Sequence, residues 1–454
     1  MTRGQGGGPW GRVPRRPAPG PTPGGGRAEH GRTLAVVARE RQVEAGSTNP
    51  RDQEGRPLQA VRGLAPGHLG DLLARALDGH GPALLPIPDG TPDARVDELL
   101  AAMRPASLRT PDGVAALDGA APAGGDTALV ITTSGSTGAP KGVELSAAAL
   151  RSSARASVAR IGAAPGDAWL CVLPAGHISG IQVMTRALAT GTRAEHAAFS
   201  AREVAELARG SRPHVSLVPT QLRRLLAAGT DLSVFGTVLL GGAAADPALL
   251  REAREAGGRV ITTYGMSETC GGCVYDGVPL DGVRVHVDSP SPGGAGRILL
   301  AGPVLLSGYR LAPGVRVDPD ALVTDGDGTR WLRTNDLGRL DGDGRLSVLG
   351  RVDEVVNTGG HKVVPGQVNA RLLEHPAVAD SVVVGRADPE WGERVSAVVV
   401  PADPDAPPSL EQLRSWVRER LPAYAAPREL EVRGSLPMLA SGKPDLVALR
   451  GPRA

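Results

Sequence analysis

The stretch that most narrows what this chain can become is Thr133-Ser134-Gly135-Ser136-Thr137-Gly138-Ala139-Pro140-Lys141-Gly142, which follows without a break on the apolar run Ala128 to Thr132. A short apolar run of this kind reads as a buried strand, and Ala147 to Ile161 then returns to helical spacing. The loop is therefore expected between a strand and a helix, where an α/β protein usually holds a ligand. Its glycines allow a tight turn with N–H groups pointing inward. Its hydroxyls add donors and Lys141 adds positive charge, a set suited to a polyphosphate. A Walker A loop needs Gly-Lys-Ser/Thr, whereas here Pro140 precedes the lysine and Gly142 follows it.

The same alternation continues along the chain. Leu69, Leu72, Leu73 and Leu77 have helical spacing; Val215 to Val218, Thr237 to Leu240 and Val260 to Thr263 read as strands, and Gln221 to Leu226 as a helix. Between about 282 and 350 the pattern changes to short strands with Asp-Gly turns, which predicts hairpins. Beyond 350, Val368 to Leu373 and the apolar stripe Leu410, Leu413, Trp416, Val417 and Leu421 read as helices. Ser381 to Val384 and Ser396 to Val400 read as strands, giving a small α+β unit. The fold class is thus α/β. A large N-terminal domain with parallel sheets and a β-rich subdomain is expected over 56–350, and a small C-terminal α+β domain over 351–454. Residues 1–55 are rich in Gly, Pro and Arg and read as a disordered tail, as residue of an over-early start codon, or as an interaction tail. With aromatics at only 2% of 454 residues, Leu, Val and Ala must fill the core.

A net charge of +2 argues against a nucleic-acid footprint over the whole chain. No apolar run approaches the ~18 residues of a membrane helix. Three cysteines in a chain this long suit a reducing cytoplasm. No feature excludes a homo-oligomer.

Further motifs follow the phosphate loop in order: Leu239-Leu240-Gly241-Gly242-Ala243, Tyr264-Gly265-Met266-Ser267-Glu268, Thr334-Asn335-Asp336, Gly350-Arg351-Val352-Asp353, Gly359-Gly360-His361 and Ser441-Gly442-Lys443. Together they resemble the adenylate-forming superfamily of acyl-CoA synthetases, luciferases and peptide-synthetase adenylation domains, over roughly residues 56–450. Ser267 stands where most members have Thr, and Asn335 where they have Gly.

The resemblance implies ATP, Mg²⁺ and coenzyme A, with a role for each motif. The loop from Thr133 through Lys141 would take the phosphates. Gly241 and Gly242 would line the adenine pocket and Tyr264 would stack on the base. Ser267 would meet phosphate and Glu268 would bind Mg²⁺, which takes one or two carboxylates beside phosphate oxygens and water. Asp336 would grip the ribose hydroxyls. Arg351 would touch the nucleotide, and Asp353 would be the pivot of a mobile small domain. Lys443 would bridge the attacking carboxylate and the α-phosphate, where a cation stabilises developing charge. The implied reaction has two halves: an acid attacks the α-phosphate to give acyl-AMP and pyrophosphate, then a thiol displaces AMP.

The segment from Thr263 through Gly282, with the shortened N-terminal region, is similar to the o-succinylbenzoate–CoA ligases of actinobacteria, which act in menaquinone synthesis. Such a diacid needs a cation or several donors for its second carboxylate, and His177 or Arg186 is the candidate. Gly271, a small residue beside Glu268, would line the acyl pocket. Alternatives that remain open are another aryl or fatty acid, or a carrier-protein thiol as acceptor. Cys270 and Cys273 flank two glycines, but zinc would need two further ligands. Asp325-Gly326-Asp327-Gly328 lacks the final Glu of a calcium loop and reads as a hairpin turn.

Overall fold

A computed structural model describes residues 55–134, 140–244, 246–289, 294–312, 318–438 and 444–450. The expected tail, Gly135 through Gly138, and Lys443 lie outside these. Near the start of the described residues, the Arg56 guanidinium donates to the carbonyls of Gly81, Ala76 and Thr127 at 2.9–3.0 Å.

The architecture is α/β, with four sheets among the described residues. In the first, of seven strands, Leu58–Val61 pairs in parallel with Ala83–Pro86 and Ser107–Thr110, and Ala83–Pro86 pairs in parallel with Thr127–Ser134. The second also has seven strands. Glu195–His196, Trp169–Cys171, His214–Leu217, Thr237–Leu240 and Val260–Met266 run parallel, and Gly271–Tyr275 returns antiparallel against the last of them. Parallel strands covered on both faces must be apolar throughout, and Val238, Leu239 and Leu240 are all buried. Helices Pro66–Leu77, Ala147–Ile161 and Ile178–Ala189 pack on one another. Their inner faces join both sheets in one apolar core built from residues such as Leu73, Leu129, Leu150, Ile181 and Leu300. Aliphatic side chains dominate it, with Trp169 and Tyr275 among the bulky exceptions.

The expected hairpins of 282–350 form the third sheet, which is antiparallel, except that strand Gly308–Leu311 joins the first sheet against Pro140–Ser146. Asp325 closes one turn by accepting from the N–H groups of Asp327 and Thr329, and Asp341 closes the next in the same way. The fourth sheet lies beyond residue 351 and holds the long hairpin Val378–Asp388 and Gly392–Pro401. Helix Leu410–Arg418 of this region begins with a reciprocal cap between Ser409 and Gln412.

One expectation fails. The phosphate loop does not join a strand to a helix; it joins Thr127–Ser134 to an antiparallel partner, Pro140–Ser146. That segment pairs along its length with Thr127–Ser134, and Val143 and Leu145, two positions apart on one face, are buried in the core. Helix Ala147–Ile161 begins only afterwards, capped by the Ser146 hydroxyl. Its N-terminus therefore lies a full strand away from the loop.

Candidate active site

The hairpin register sets Thr133 opposite Lys141. The Thr133 hydroxyl is buried and has no hydrogen-bond partner among the described residues, as a donor waiting for a ligand oxygen would be. Lys141 reaches across to the second sheet, its Nζ 3.2 Å from Glu268 Oε1. The Tyr309 hydroxyl donates to the same oxygen at 3.2 Å, and its ring lies 4.5 Å from the Lys141 ammonium. Burial, then the nearby Glu268 charge, push the Tyr309 phenol up, so it stays a donor. Tyr309 was missed in the sequence; its place comes from strand Gly308–Leu311, which pairs with Pro140–Ser146.

Glu268 sits in the short turn Ser267–Thr269 after strand Val260–Met266. The buried Thr269 hydroxyl staples this turn, accepting from Met266 N at 2.9 Å and lying 2.7 Å from Gly271 O. The returning strand approaches so closely that a Cβ on Gly265 would sit 2.0 Å from the Gly271 carbonyl oxygen. Glycine at 265 is thus a requirement of the strand–turn–strand that presents Ser267 and Glu268. Gly241 follows strand Thr237–Leu240 and donates to Leu217 O at 3.1 Å.

Asp336 and Arg351 are paired residues of the third sheet. Tyr264 donates to Asp336 Oδ2 at 2.7 Å, and Arg351 Nη1 lies 3.6 Å from Oδ1. Thr334, itself bonded to Ile298 O, accepts from the Asp336 N–H at 3.1 Å and fixes the backbone there. Arg351 is also bidentate to Asp353, at 2.8 and 2.9 Å. Burial pushes the Asp353 carboxyl up, but the bonds and charge of Arg351 outweigh this and hold it below the usual range. The residues expected to grip the sugar and to turn the small domain are therefore linked through one guanidinium.

The candidates for the acid divide. Nine residues separate His177, at the N-cap of helix Ile178–Ala189, from Arg186. That spacing puts them ~13 Å apart along the axis and on opposite faces, too far for both to grip one carboxylate. His177 is half-buried, whereas Arg186 is only 2% exposed. Arg186 Nη2 donates to Gln182 Oε1 at 2.6 Å and to the Tyr275 hydroxyl at 3.0 Å, and Nη1 to the Ser216 hydroxyl at 3.2 Å. Its Nε is buried without a partner. None of its partners among the described residues is a carboxylate. Gly271 lies against Gln182, joining this cluster to the Glu268 turn. Gln182, Ser216 and Tyr275 were not singled out in the sequence; the only signal was the spacing of Gln182 and Arg186, four residues apart on one helix face. Cys171, Cys270 and Cys273 are buried free thiols. Burial pushes Cys171 up to about 11 and Cys273 up to about 12, so neither is a nucleophile at neutral pH.

Residues 81–310 match the AMP-binding enzyme family and residues 367–443 the C-terminal domain of AMP-binding enzymes. The chain belongs to this family, the adenylate-forming enzymes. It is 42% identical, over 87% of its length and 97% of the relative's, to the probable 2-succinylbenzoate–CoA ligase of Mycobacterium tuberculosis. The 2-succinylbenzoate–CoA ligase of Bacillus subtilis is 33% identical over 70% of this chain and 67% of its own. Among solved structures, o-succinylbenzoate CoA synthetase from Bacillus subtilis in complex with its acyl-adenylate intermediate matches with a TM-score of 0.68 and 27% identity, over 87% of this chain and 88% of that one. ATP-bound MatB from Rhodopseudomonas palustris shares the fold, with a TM-score of 0.74 at 23% identity, over 88% and 89% of the two chains.

Proposed function

We propose that this chain is an ATP-dependent acid–CoA ligase that converts 2-succinylbenzoate to its CoA thioester through an acyl-adenylate, in menaquinone biosynthesis. The observation that carries the substrate is Arg186, a buried cation with neutral protein partners beside the Glu268 turn. A buried charge is costly unless paired. The carboxylate of the diacid that does not react would supply that pairing, a charged hydrogen bond of this kind being worth ~1.5–3 kcal/mol.

Thr133 and Lys141, with the loop between them, receive the phosphates, and Ser267 adds a hydroxyl. Tyr264 bonds to Asp336 and so holds its own ring and the ribose-gripping carboxylate in one arrangement. Glu268 would hold the Mg²⁺ that accompanies ATP, which would supply charge against the phosphates. Lys141, paired with Glu268 at 3.2 Å, is the cation beside that carboxylate available to the phosphates. The acid's carboxylate oxygen attacks the α-phosphorus and the bond to pyrophosphate breaks, with Lys443 stabilising the charge that develops. The small domain then turns about Asp353. CoA thiolate attacks the acyl carbonyl, and AMP leaves with the bonding electrons.

No helix among the described residues is long and apolar enough to cross a membrane. The enzyme works in the cytoplasm on small molecules.

The test is pyrophosphate release across a panel of acids, with mass detection of the CoA product. 2-Succinylbenzoate should be preferred, and a thioester should form only when CoA is present. Preference for a monoacid would remove the substrate assignment, and absence of pyrophosphate with every acid would remove the reaction.

A further inference from the structure

Arg186 is secured by groups that never cancel its charge. A guanidinium has only donors, so each neighbour must accept. Gln182 Oε1 takes two N–H groups at once, Arg186 Nη2 at 2.6 Å and Gly272 N at 3.2 Å. Both can only donate, which fixes the amide orientation, and the Gln182 amino group then donates to the Ser153 hydroxyl at 3.2 Å. The Tyr275 hydroxyl accepts from Arg186 at 3.0 Å and shares a hydrogen bond with the Ser157 hydroxyl at 2.7 Å. Ser216 takes the third bond. The carboxamide is seated tightly: a Cβ on Gly271 would lie 2.3 Å from Gln182 Cδ, and Gly271 has φ +93°.

Glutamate has the shape of glutamine. Placed four residues before an arginine on a helix, it would form the favoured ion pair. It would neutralise the cation at no cost in packing. The chain instead has the neutral isostere at a position that both touches the guanidinium and borders the Glu268 turn.

We propose that Gln182 is a specificity-determining residue. As a neutral acceptor it holds Arg186 in place while leaving its charge for the substrate, and so reserves the pocket for an acid with a second anionic group. This rests on the reading of Arg186 as the receptor of that group.

The experiment compares kcat/KM for 2-succinylbenzoate with that for 4-oxo-4-phenylbutanoate, the same skeleton without the ring carboxylate, in the full-length enzyme. Gln182→Glu should lower the diacid-to-monoacid ratio by about tenfold to a hundredfold, mainly through KM for the diacid, the scale of one lost charged hydrogen bond. It should also raise the melting temperature of the ligand-free enzyme, because it completes a buried pair. Gln182→Met removes the acceptor without adding charge, and Arg186 keeps Ser216 and Tyr275, so the ratio should fall far less than in Gln182→Glu. If Gln182→Glu does not fold, Ser216→Asp places the counter-charge at Nη1 and should lower the ratio likewise. An unchanged ratio in the charge-adding variant, or an equal fall in Gln182→Met, overturns the role of Gln182. Arg186→Met separates the two claims. If it leaves the ratio untouched, the reading of Arg186 falls and this inference with it; if it collapses the ratio while Gln182→Glu does not, only this inference falls.

Discussion

The side of the site proposed for the nucleotide and the side proposed for the acid handle charge in opposite ways. On the nucleotide side each charge already has a protein partner: Lys141 with Glu268 at 3.2 Å, Arg351 with Asp353 at 2.8 Å, and Asp336 with Tyr264 at 2.7 Å. A ligand there must exchange partners, and one that brings both signs, phosphate and a divalent cation, can do so without leaving net charge behind. On the proposed acid side Arg186 is buried and, among the described residues, hydrogen-bonds to neutral oxygens only. A ligand there adds what is missing. The first arrangement is at rest when empty. The second holds unfavourable energy that only an anion relieves, and such local cost is how a site becomes selective.

The largest effect should come from the residue expected to serve both sides. Lys443→Ala should cut adenylation by roughly 10²–10³-fold, the scale of losing one donor to developing charge. It should spare thioester formation from supplied acyl-AMP, because that half-reaction does not bring carboxylate and phosphate together. Equal loss in both half-reactions would reject the role.

The comparison itself is broken or kept by Arg186→Met set against Glu268→Gln. Arg186→Met should lower kcat/KM for the diacid by ~1.5–3 kcal/mol. The ligand-free protein should melt at the same temperature or higher, since removing a buried charge without a counter-ion relieves desolvation. Gln182 retains the Gly272 N–H and Tyr275 retains Ser157, so few groups are orphaned. Glu268→Gln should do the reverse and lower stability by up to ~1 kcal/mol, because Lys141 loses its partner. If Arg186→Met is the less stable of the two, the contrast is wrong.

How much of this was legible before the structure depends on range. The alternating strands and helices, the Asp-Gly hairpins and the order of motifs are local patterns, and they are present as read. The phosphate loop was misplaced because Pro140 to Ser146 contains Lys, Gly, Glu and Ser, which dilute a strand's alternation until Val143 and Leu145 are seen buried. The partners of Glu268 and Arg186 could not be read. Tyr309 reaches Glu268 by pairing with a strand more than 160 residues earlier, and Tyr275 reaches Arg186 across 89 residues. Such contacts are set by sheet order, which no local period encodes. Even so, Gln182 lay one helical turn from Arg186, and a rule that asks what accepts from a buried arginine would have found it.

A smaller effect tests the nucleotide side alone. Tyr264→Phe should weaken ATP binding by about 1 kcal/mol, roughly fivefold, by leaving Asp336 one bond short. Loss of ring stacking would cost more than loss of the hydroxyl, so Tyr264→Ala should exceed Tyr264→Phe in an ATP-binding titration; equality would remove the stacking role.

The mildest test asks what a fully paired carboxylate does elsewhere in the molecule. Glu429 accepts from Arg394 at 2.8 Å, Ser396 at 2.7 Å and Arg386 at 2.9 Å, across three strands of the fourth sheet. Burial alone would push its carboxyl up, but these hydrogen bonds and the Arg386 charge outweigh that and bring it down to about 2. The folded state therefore binds its proton more weakly than the unfolded chain, whose carboxyl titrates near 4.5. The stabilisation is complete above the unfolded value and is lost as pH falls towards 2, with no contribution from this group to the slope at neutral pH. Glu429→Gln should flatten part of the fall in melting temperature over that acid window and leave adenylation at neutral pH within about twofold. An acid slope identical to that of the unaltered protein would mean that the three donors do not hold this carboxylate in solution, and charge pairing of the kind drawn at Lys141 and Glu268 would lose its nearest internal control.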